Sequence, residues 1–477
     1  MAAADPNWMM LDRFVFRRDD AESFLDEDAA PFTIEGDFSP DDMFSIAFRI
    51  AKPPVTSRMY LKWKCGPKAG PGCIPVAAHR GVLLLRFTPE PGKLGFVEHF
   101  FICRSRYDPL DSSPFALERI PFCATIWHDE DGTEIAMRRL FGDDTVGVLS
   151  RDEDFAIAQL VVRRPLVKAD KMESDLCVLR SKSNTDHTWE IEEGLPILYE
   201  ADEICDLKAW STHRVIPFNE YLCWVNYGIG GVLFCEVFEE RPKISYLRLP
   251  IHNRRLRQRR VLDRKCSVCL TKGYFGAHEL AFVDVDREDG YLVGPLSPKT
   301  GFTIAYHVLR KTGCSGMKWD LVFFLTSAEL WDLNKSLPRE ALTFPHVSMD
   351  EPNVVHFLLS QPVSHKFVKV SVVSIDMIRR KVLSVVPYIE ENDIHGKDSQ
   401  MVLGASSYLQ SFLPSELPKF IDPACSPFFP CSKHVLDSPT AAAASRPTAS
   451  SQVNIKTEEI TDDCPAFNTR SRKKRVI

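Results

Sequence analysis

The chain has 477 residues, 44% of them hydrophobic and 26% charged, with a formal net charge of −6 at pH 7. That length holds two or three average domains or one large repeat fold, and the composition is that of a protein with a real core. The mild acidity excludes a general polyanion binder, and no apolar run approaches the roughly 18 residues that a spanning helix needs, so no membrane partner is expected.

Residues 1–12 have neither a basic flank nor an apolar stretch, which argues against a secretory signal. Asp19–Asp42 carries ten acidic residues and no Lys or Arg. Residues 1–42 are therefore read as an acidic segment, partly docked through Phe24, Phe32, Ile34 and Phe38. A β-rich body is expected over 43–394, because short runs with period-two alternation or β-branched and aromatic enrichment recur there. They lie at Met59–Trp63, Gly81–Phe87, His99–Cys103, Phe155–Arg163, Asp175–Arg180, Thr188–Ile191, Tyr221–Tyr227 and Gly231–Phe238. Ile244–Leu249, Leu280–Val285, Phe302–Leu309, Lys318–Thr326, Val354–Ser360, Val368–Asp376 and Lys381–Val386 continue the series. Helical spacing appears only at Ser327–Leu337 and Ser406–Phe420, and the second makes 395–425 a short helical extension. Residues 426–477 are expected to be a disordered tail, since Ser426–Ser451 is rich in Pro, Ser and Ala and has little apolar surface to bury.

Several units end on an apolar residue followed by proline: Leu195-Pro196, Leu249-Pro250, Leu337-Pro338 and Val386-Pro387. Their prolines are 54, 88 and 49 residues apart, and Pro295 would split the long interval into 45 and 43. Four-stranded units at roughly 40–50 residues are the mark of propeller blades. The expected fold class is mainly all-β, a propeller-like repeat body, with a split sandwich as the alternative. Without an export signal, the fourteen cysteines read as reduced thiols, many of them buried as small hydrophobes.

Several motifs occur in order: Pro6-Asn7-Trp8 before Leu11-Asp12-Arg13, Ser57-Arg58-Met59-Tyr60-Leu61, Ala77-Ala78-His79-Arg80, and Phe155-Ala156-Ile157-Ala158-Gln159-Leu160. Leu176-Cys177-Val178-Leu179-Arg180-Ser181 follows, then Val215-Ile216-Pro217-Phe218 with Tyr221–Tyr227 and Gly231–Val237, then Val347-Ser348-Met349-Asp350-Glu351-Pro352. Over Pro6–Glu390 the chain resembles a plant family, abundant in grasses, called domain of unknown function 1618. The family brings no reaction and no catalytic residues. Its strand–turn–strand blocks are similar to the propeller regions that follow F-boxes in plant ubiquitin-ligase adaptors. No F-box is found near the N-terminus here, and Phe412–Pro418 only superficially resembles the opening of one.

Searches for chemistry end without a catalytic, cofactor or metal assignment. No P-loop is present, and Gly228-Ile229-Gly230-Gly231 joins two strands as a hairpin turn. Asp284–Gly290 has Asp289 and Pro295 where an EF-hand needs glycine and glutamate, and reads as a strand end with an Asp-Gly turn. Cys266-Ser267-Val268-Cys269 is a lone CxxC. Strand alternation sends its thiols to opposite faces, and Cys223, Cys235 and His252 stand at no zinc spacing. No nucleophile elbow or cysteine-nucleophile signature occurs, and the thirteen histidines form no ligand spacing.

Charge supplies the remaining signals. Arg254, Arg255, Arg257, Arg259, Arg260, Arg264 and Lys265 crowd one inter-strand loop, read either as a solvated loop balanced by nearby acids or as a site for an acidic partner or nucleic-acid phosphates. No aromatic residue in it could stack on bases, so nucleic acid is weakly supported. Arg470, Arg472, Lys473, Lys474 and Arg475 form a basic cluster of the kind that nuclear import receptors grip, and Ile455-Lys456-Thr457-Glu458 fits SUMO attachment at Lys456. The expectation is a non-enzymatic protein-interaction scaffold without cofactor, in the nucleus or alternatively the cytoplasm. A ubiquitin-ligase substrate adaptor and an anion or nucleic-acid binder acting through 254–265 are the alternatives.

Overall fold

The structure is a computed structural model. It describes residues 6–19, 32–67, 72–88, 98–105, 115–128, 134–139, 141–142, 144–163, 171–181, 188–251, 264–273, 276–291, 295–312, 316–364, 367–388 and 409–420. All of these belong to the first of two units along the chain, Met1–Cys431; the second is Ser432–Ile477. The tail expected at 426–477 lies outside the described residues.

The described chain is mainly β. β1 (Met9–Arg17), β2 (Phe32–Ser39), β3 (Asp42–Arg49) and β4 (Ser57–Lys62) come first, then β5 (Cys73–His79), β6 (Val82–Phe87), β7 (His99–Ser105) and β8 (Phe115–Arg119). A hairpin of β9 (Ala124–His128) and β10 (Glu134–Arg138) precedes β11 (Val146–Arg151), β12 (Asp154–Val162), β13 (Glu173–Arg180) and β14 (Trp189–Leu198). After helix α1 (Ile204–Lys208) come β15 (Arg214–Phe218), β16 (Tyr221–Asn226), β17 (Gly231–Cys235) and β18 (Ile244–Arg248). β19 (Cys266–Lys272), β20 (His278–Arg287), β21 (Phe302–Thr312) and β22 (Gly316–Thr326) lead into helix α2 (Ser327–Leu333). β23 (Leu342–Val347), β24 (Val354–Ser364), β25 (Phe367–Asp376), β26 (Lys381–Pro387) and β27 (Leu413–Ser415) complete the chain.

These strands make six blades: β27-β1-β4-β3-β2, β5 to β8, β11 to β14, β15 to β18, β19 to β22 and β23 to β26, each ordered from its innermost strand outward. Consecutive innermost strands touch, from β1 and β27 through β5, β11, β15 and β19 to β23. The last gap closes through Trp8, whose ring lies 5.9 Å from that of His346 and 6.1 Å from that of His356. Tyr388, just past β26, donates its hydroxyl to Asp12 Oδ2 at 2.5 Å, joining residues 376 apart in sequence. The propeller-like expectation holds, and the sandwich alternative falls away.

Blades three and four depart from a simple repeat. Their outermost strands pair in parallel, Ile197 with Ile244 and Leu198 with Ser245, which merges both into one eight-stranded sheet. Its end strands β11 and β15 also touch, so the sheet curls into a nearly closed barrel around Leu149, Leu176, Trp224 and Leu233. A Cβ on Gly147 would stand 2.4 Å from Val215 Cγ1, so glycine is what lets β11 and β15 approach.

The expected body of 43–394 is too short at both ends. β1 and β2 precede residue 43 and belong to the first blade, so Phe32–Ser39 is sheet rather than part of a separate acidic segment. At the other end, the helix expected over Ser406–Phe420 is replaced, in its described part 409–420, by β27 and a 3₁₀ turn at Leu417–Phe420. Pro414 and Pro418 deny that segment helical donors, and the open edge of β1 pairs with it instead, Met9 opposite Ser415 and Leu11 opposite Leu413. The Phe412–Pro418 stretch is thus the closing strap of the first blade.

The unit-ending prolines fare better. Pro250, Pro338 and Pro387 stand at the ends of blades four, five and six, and Pro196 lies in the outermost strand of blade three. Pro295 does not mark a unit: it sits between β20 and β21, inside blade five. The 88-residue interval therefore holds one long blade, with strands of 10 and 11 residues and with α2. The helix expected at Ser327–Leu337 forms as α2, opened by a capping box of Thr326 and Glu329.

Candidate functional site

Where the innermost strands converge they enclose a narrow cavity of about 40 Å³, walled by β5, β15, β19, β23 and β27, enough for about three water-sized groups. Proline recurs in these strands, at Pro75, Pro217, Pro345 and Pro414. An innermost strand is a sheet edge facing the axis, where a missing N–H leaves no ladder bond unmade. Most of the wall is apolar, but His79, Arg80, Arg214, Cys269, His346 and Glu416 also line it.

Arg214 is the central polar group. It is only 8% exposed, and it donates from Nη1 to Ser411 Oγ (2.8 Å) and from Nη2 to the Phe412 carbonyl (2.7 Å). It thereby ties β15 to the strap that ends in β27. No carboxylate forms an ion pair with it among the described residues. Glu416, the acid on the same wall, pairs with Lys419.

Two buried histidines, His79 and His346, share the wall with this guanidinium, and a third, His356, is buried close to His346. His79 accepts the Ser150 amide at Nδ1 (2.9 Å), so its proton sits on Nε2. Burial, with Arg80 and His278 adding like charge, depresses its pKa to about 3. Burial lowers His346 well below the usual histidine value, and Arg214 and His356 reinforce the shift. His356, whose Nδ1 lies 2.9 Å from Ser374 Oγ, is lowered by burial to about 4. Cys269 Sγ lies 3.8 Å from His346 Nδ1, but burial raises the thiol as it lowers the imidazole. The pair is held neutral, the reverse of the electropositive, partly exposed setting that makes a nucleophilic thiolate. The wall is built to hold a group in place.

The residues singled out from sequence fall elsewhere. Arg254, Arg255, Arg257, Arg259, Arg260, Lys456, Arg470, Arg472, Lys473, Lys474 and Arg475 lie outside the described residues. Arg264 stacks its guanidinium over Phe344, 5.6 Å from the ring centre. Lys265 is not a loop cation: it is buried with Nζ 3.6 Å from both Asp284 and Asp286. Burial opposes its charge, and the carboxylates more than offset that, so its pKa stands above the ordinary lysine value. The cause is the fold: the Lys265 carbonyl already accepts from Val285, drawing the residue onto β20.

The turn readings hold. Gly230, with φ +71°, turns β16 into β17. Asp289 accepts from Arg287 and from the amides of Tyr291 and Ser297 around the turn at Gly290. Cys266 and Cys269 pack in different core clusters, as alternation requires. Among the described residues no group of His, Cys, Asp and Glu could hold a metal, and no helix is long and apolar enough to cross a membrane.

Sequence reasoning missed the cavity, although three of its quoted motifs build the wall. Ala77–Arg80, Val215–Pro217 and Met349 are all lining residues. Their signal was present as a buried-type strand carrying proline beside a histidine or arginine, a pattern that alternation does not report.

Fold and cavity together define a propeller-like β protein with a polar cluster on its axis. Residues 224–356, from β16 into β24, match a family described as protein of unknown function (DUF1618). No curated protein matches the chain.

Proposed function

We propose that this is a non-enzymatic protein-interaction scaffold that takes an extended segment of its partner along the outer edge of blade five. The observation that carries the reading is β22. It is the outermost strand of its sheet, 11 residues long, with no strand on its far edge among the described residues. Leu321 is 53% and Phe324 47% exposed, and Val322 is exposed between them. A bulge between Tyr306 and His307 leaves Val322 unopposed and re-aims these side chains. Ile378, 48% exposed, faces the same groove from blade six. The ion pair of Arg380 Nη1 with Glu329 Oε1, 2.7 Å, bridges the two blades there. Soluble proteins guard long apolar edges with charge or proline; Lys318 and Asp320 guard the first half of β22, but its second half, Leu321–Leu325, has neither. Such an edge supplies main-chain bonds for affinity and apolar pockets for selectivity.

Proximity labelling with the full chain and with the double variant Leu321→Lys, Phe324→Asp tests this. Partners of the native chain should disappear from the variant, and a purified partner should bind at least about fivefold more weakly, as loss of one or two anchors of about 1–2 kcal/mol implies. An unchanged partner set and affinity would refute the reading.

The resemblance to plant F-box-associated propellers supports a narrower form, a substrate adaptor. Cullin-ligase scaffold components among the partners distinguish it from a free-standing scaffold. The basic cluster from Arg470 to Arg475 supports nuclear import, and Lys456 supports SUMO attachment. Deleting Arg470–Ile477 from a fluorescent fusion is expected to shift the protein to the cytoplasm; an unchanged nuclear signal would remove the import role.

A further inference from the structure

We infer that the axial cavity is a binding site for a monocarboxylate of one or two carbons, with Arg214 as its anchor. Five N–H donors belong to a guanidinium, and Arg214 gives one from each of Nη1 and Nη2 to neutral acceptors. A buried cation with only neutral partners is in a costly state, which an anion relieves. The planar fork of a guanidinium matches two carboxylate oxygens.

A second observation points to the same place. His346 is 3% exposed and lines the cavity, yet its Nε2 has no hydrogen-bond partner among the described residues. With the Cys269 thiol as donor to Nδ1, a neutral His346 has its proton on Nε2 and offers one more donor to a carboxylate oxygen. The rest of the wall selects among anions. Ile216, Val268, Leu270 and Met349 are apolar and suit a short hydrocarbon stub. Glu416 on the wall disfavours a second negative charge, and the volume excludes bulky acids. A phosphate dianion would leave several oxygens against hydrocarbon, where each unmade bond costs free energy.

The test uses the full chain and a series of sodium salts at one ionic strength: chloride, formate, acetate, butyrate and inorganic phosphate. Thermal melts and line broadening of ¹³C-labelled acetate report binding. Formate and acetate should raise the melting temperature saturably above the chloride control, and butyrate and phosphate should not. Arg214→Lys keeps the charge and a donor for the strap but loses the fork, and should weaken binding at least tenfold. His346→Phe keeps a buried ring and should weaken it severalfold; melts without ligand show that both variants fold. Formate and acetate that do no more than chloride would overturn the site, as would undiminished binding in folded Arg214→Lys. Phosphate binding more tightly than any carboxylate would overturn the ligand class.

Discussion

Acidification from pH 7 to pH 5 is expected to lower the unfolding free energy by about 5 kcal/mol, through three histidines that the fold holds neutral. An unfolded histidine titrates near pH 6.5 and has taken up most of a proton by pH 5, whereas the folded groups have not, so each costs about 2 kcal/mol over that interval. His79 stays neutral down to about 3 and His356 to about 4, and His346 is displaced the same way. A base whose folded pKa is depressed confers stability that is full above the unfolded value and falls as pH drops toward the folded one. The window is therefore pH 6.5 downward to about 3 or 4. Asp12 acts in the opposite sense: burial raises its carboxyl, only partly offset by the hydrogen bond from Tyr388, so it favours the folded state as pH falls. Urea melts at pH 7, 6 and 5 give the slope, and His79→Gln or His356→Gln should flatten it. A stability independent of pH across this range would show that these imidazoles are not held neutral.

Ending the chain at residue 408 is expected to abolish cooperative unfolding. The cut removes β27 and with it Phe412, Leu413 and Leu417, all buried in the cores on either side of the strap. At about 2 kcal/mol for each buried side chain the loss is roughly 6 kcal/mol. The strap also supplies both acceptors of Arg214, and stranding that guanidinium adds about 1–3 kcal/mol. The sum is on the order of the whole stability of a typical domain. Leu417→Ala in the full chain should cost about 2–5 kcal/mol by leaving a cavity. Differential scanning calorimetry and binding of a hydrophobic dye check both; a truncated chain melting within a few degrees of the full one would mean that the ring does not depend on its strap.

These expectations hinge on parts of the molecule of unequal legibility. The fifteen runs with strand character all fall on strands, and they belong to blade interiors and outer rims. Some, such as Lys381–Pro387, alternate between exposed and half-buried positions, and others, such as the wholly buried Gly231–Cys235, stand out by β-branched and aromatic enrichment instead. The innermost strands β5, β11, β15, β19 and β23 escaped notice. Cys73–His79 and Arg214–Phe218 carry proline, and Val146–Arg151 carries glycine. Cys266–Lys272 is buried along nearly its whole length, so no polar face sets a period. For the same reason the axial cavity was invisible, because it is made only of such strands.

Composition and local pattern were enough to determine a mainly β chain, its turns at Gly228–Gly231 and Asp289–Gly290, helix α2, and a period near that of a propeller blade. These depend on neighbours within a few residues, whose preferences act whatever the rest of the chain does. Tertiary structure alone decided that β27 returns to pair with β1, that Tyr388 reaches Asp12, that the outer edges of blades three and four fuse, and that Lys265 is buried. It also decided that Arg214, His79 and His346 meet on one axis. Each of these joins residues far apart in the chain, and the free energy that selects them comes from burying shared surface once the ring has closed.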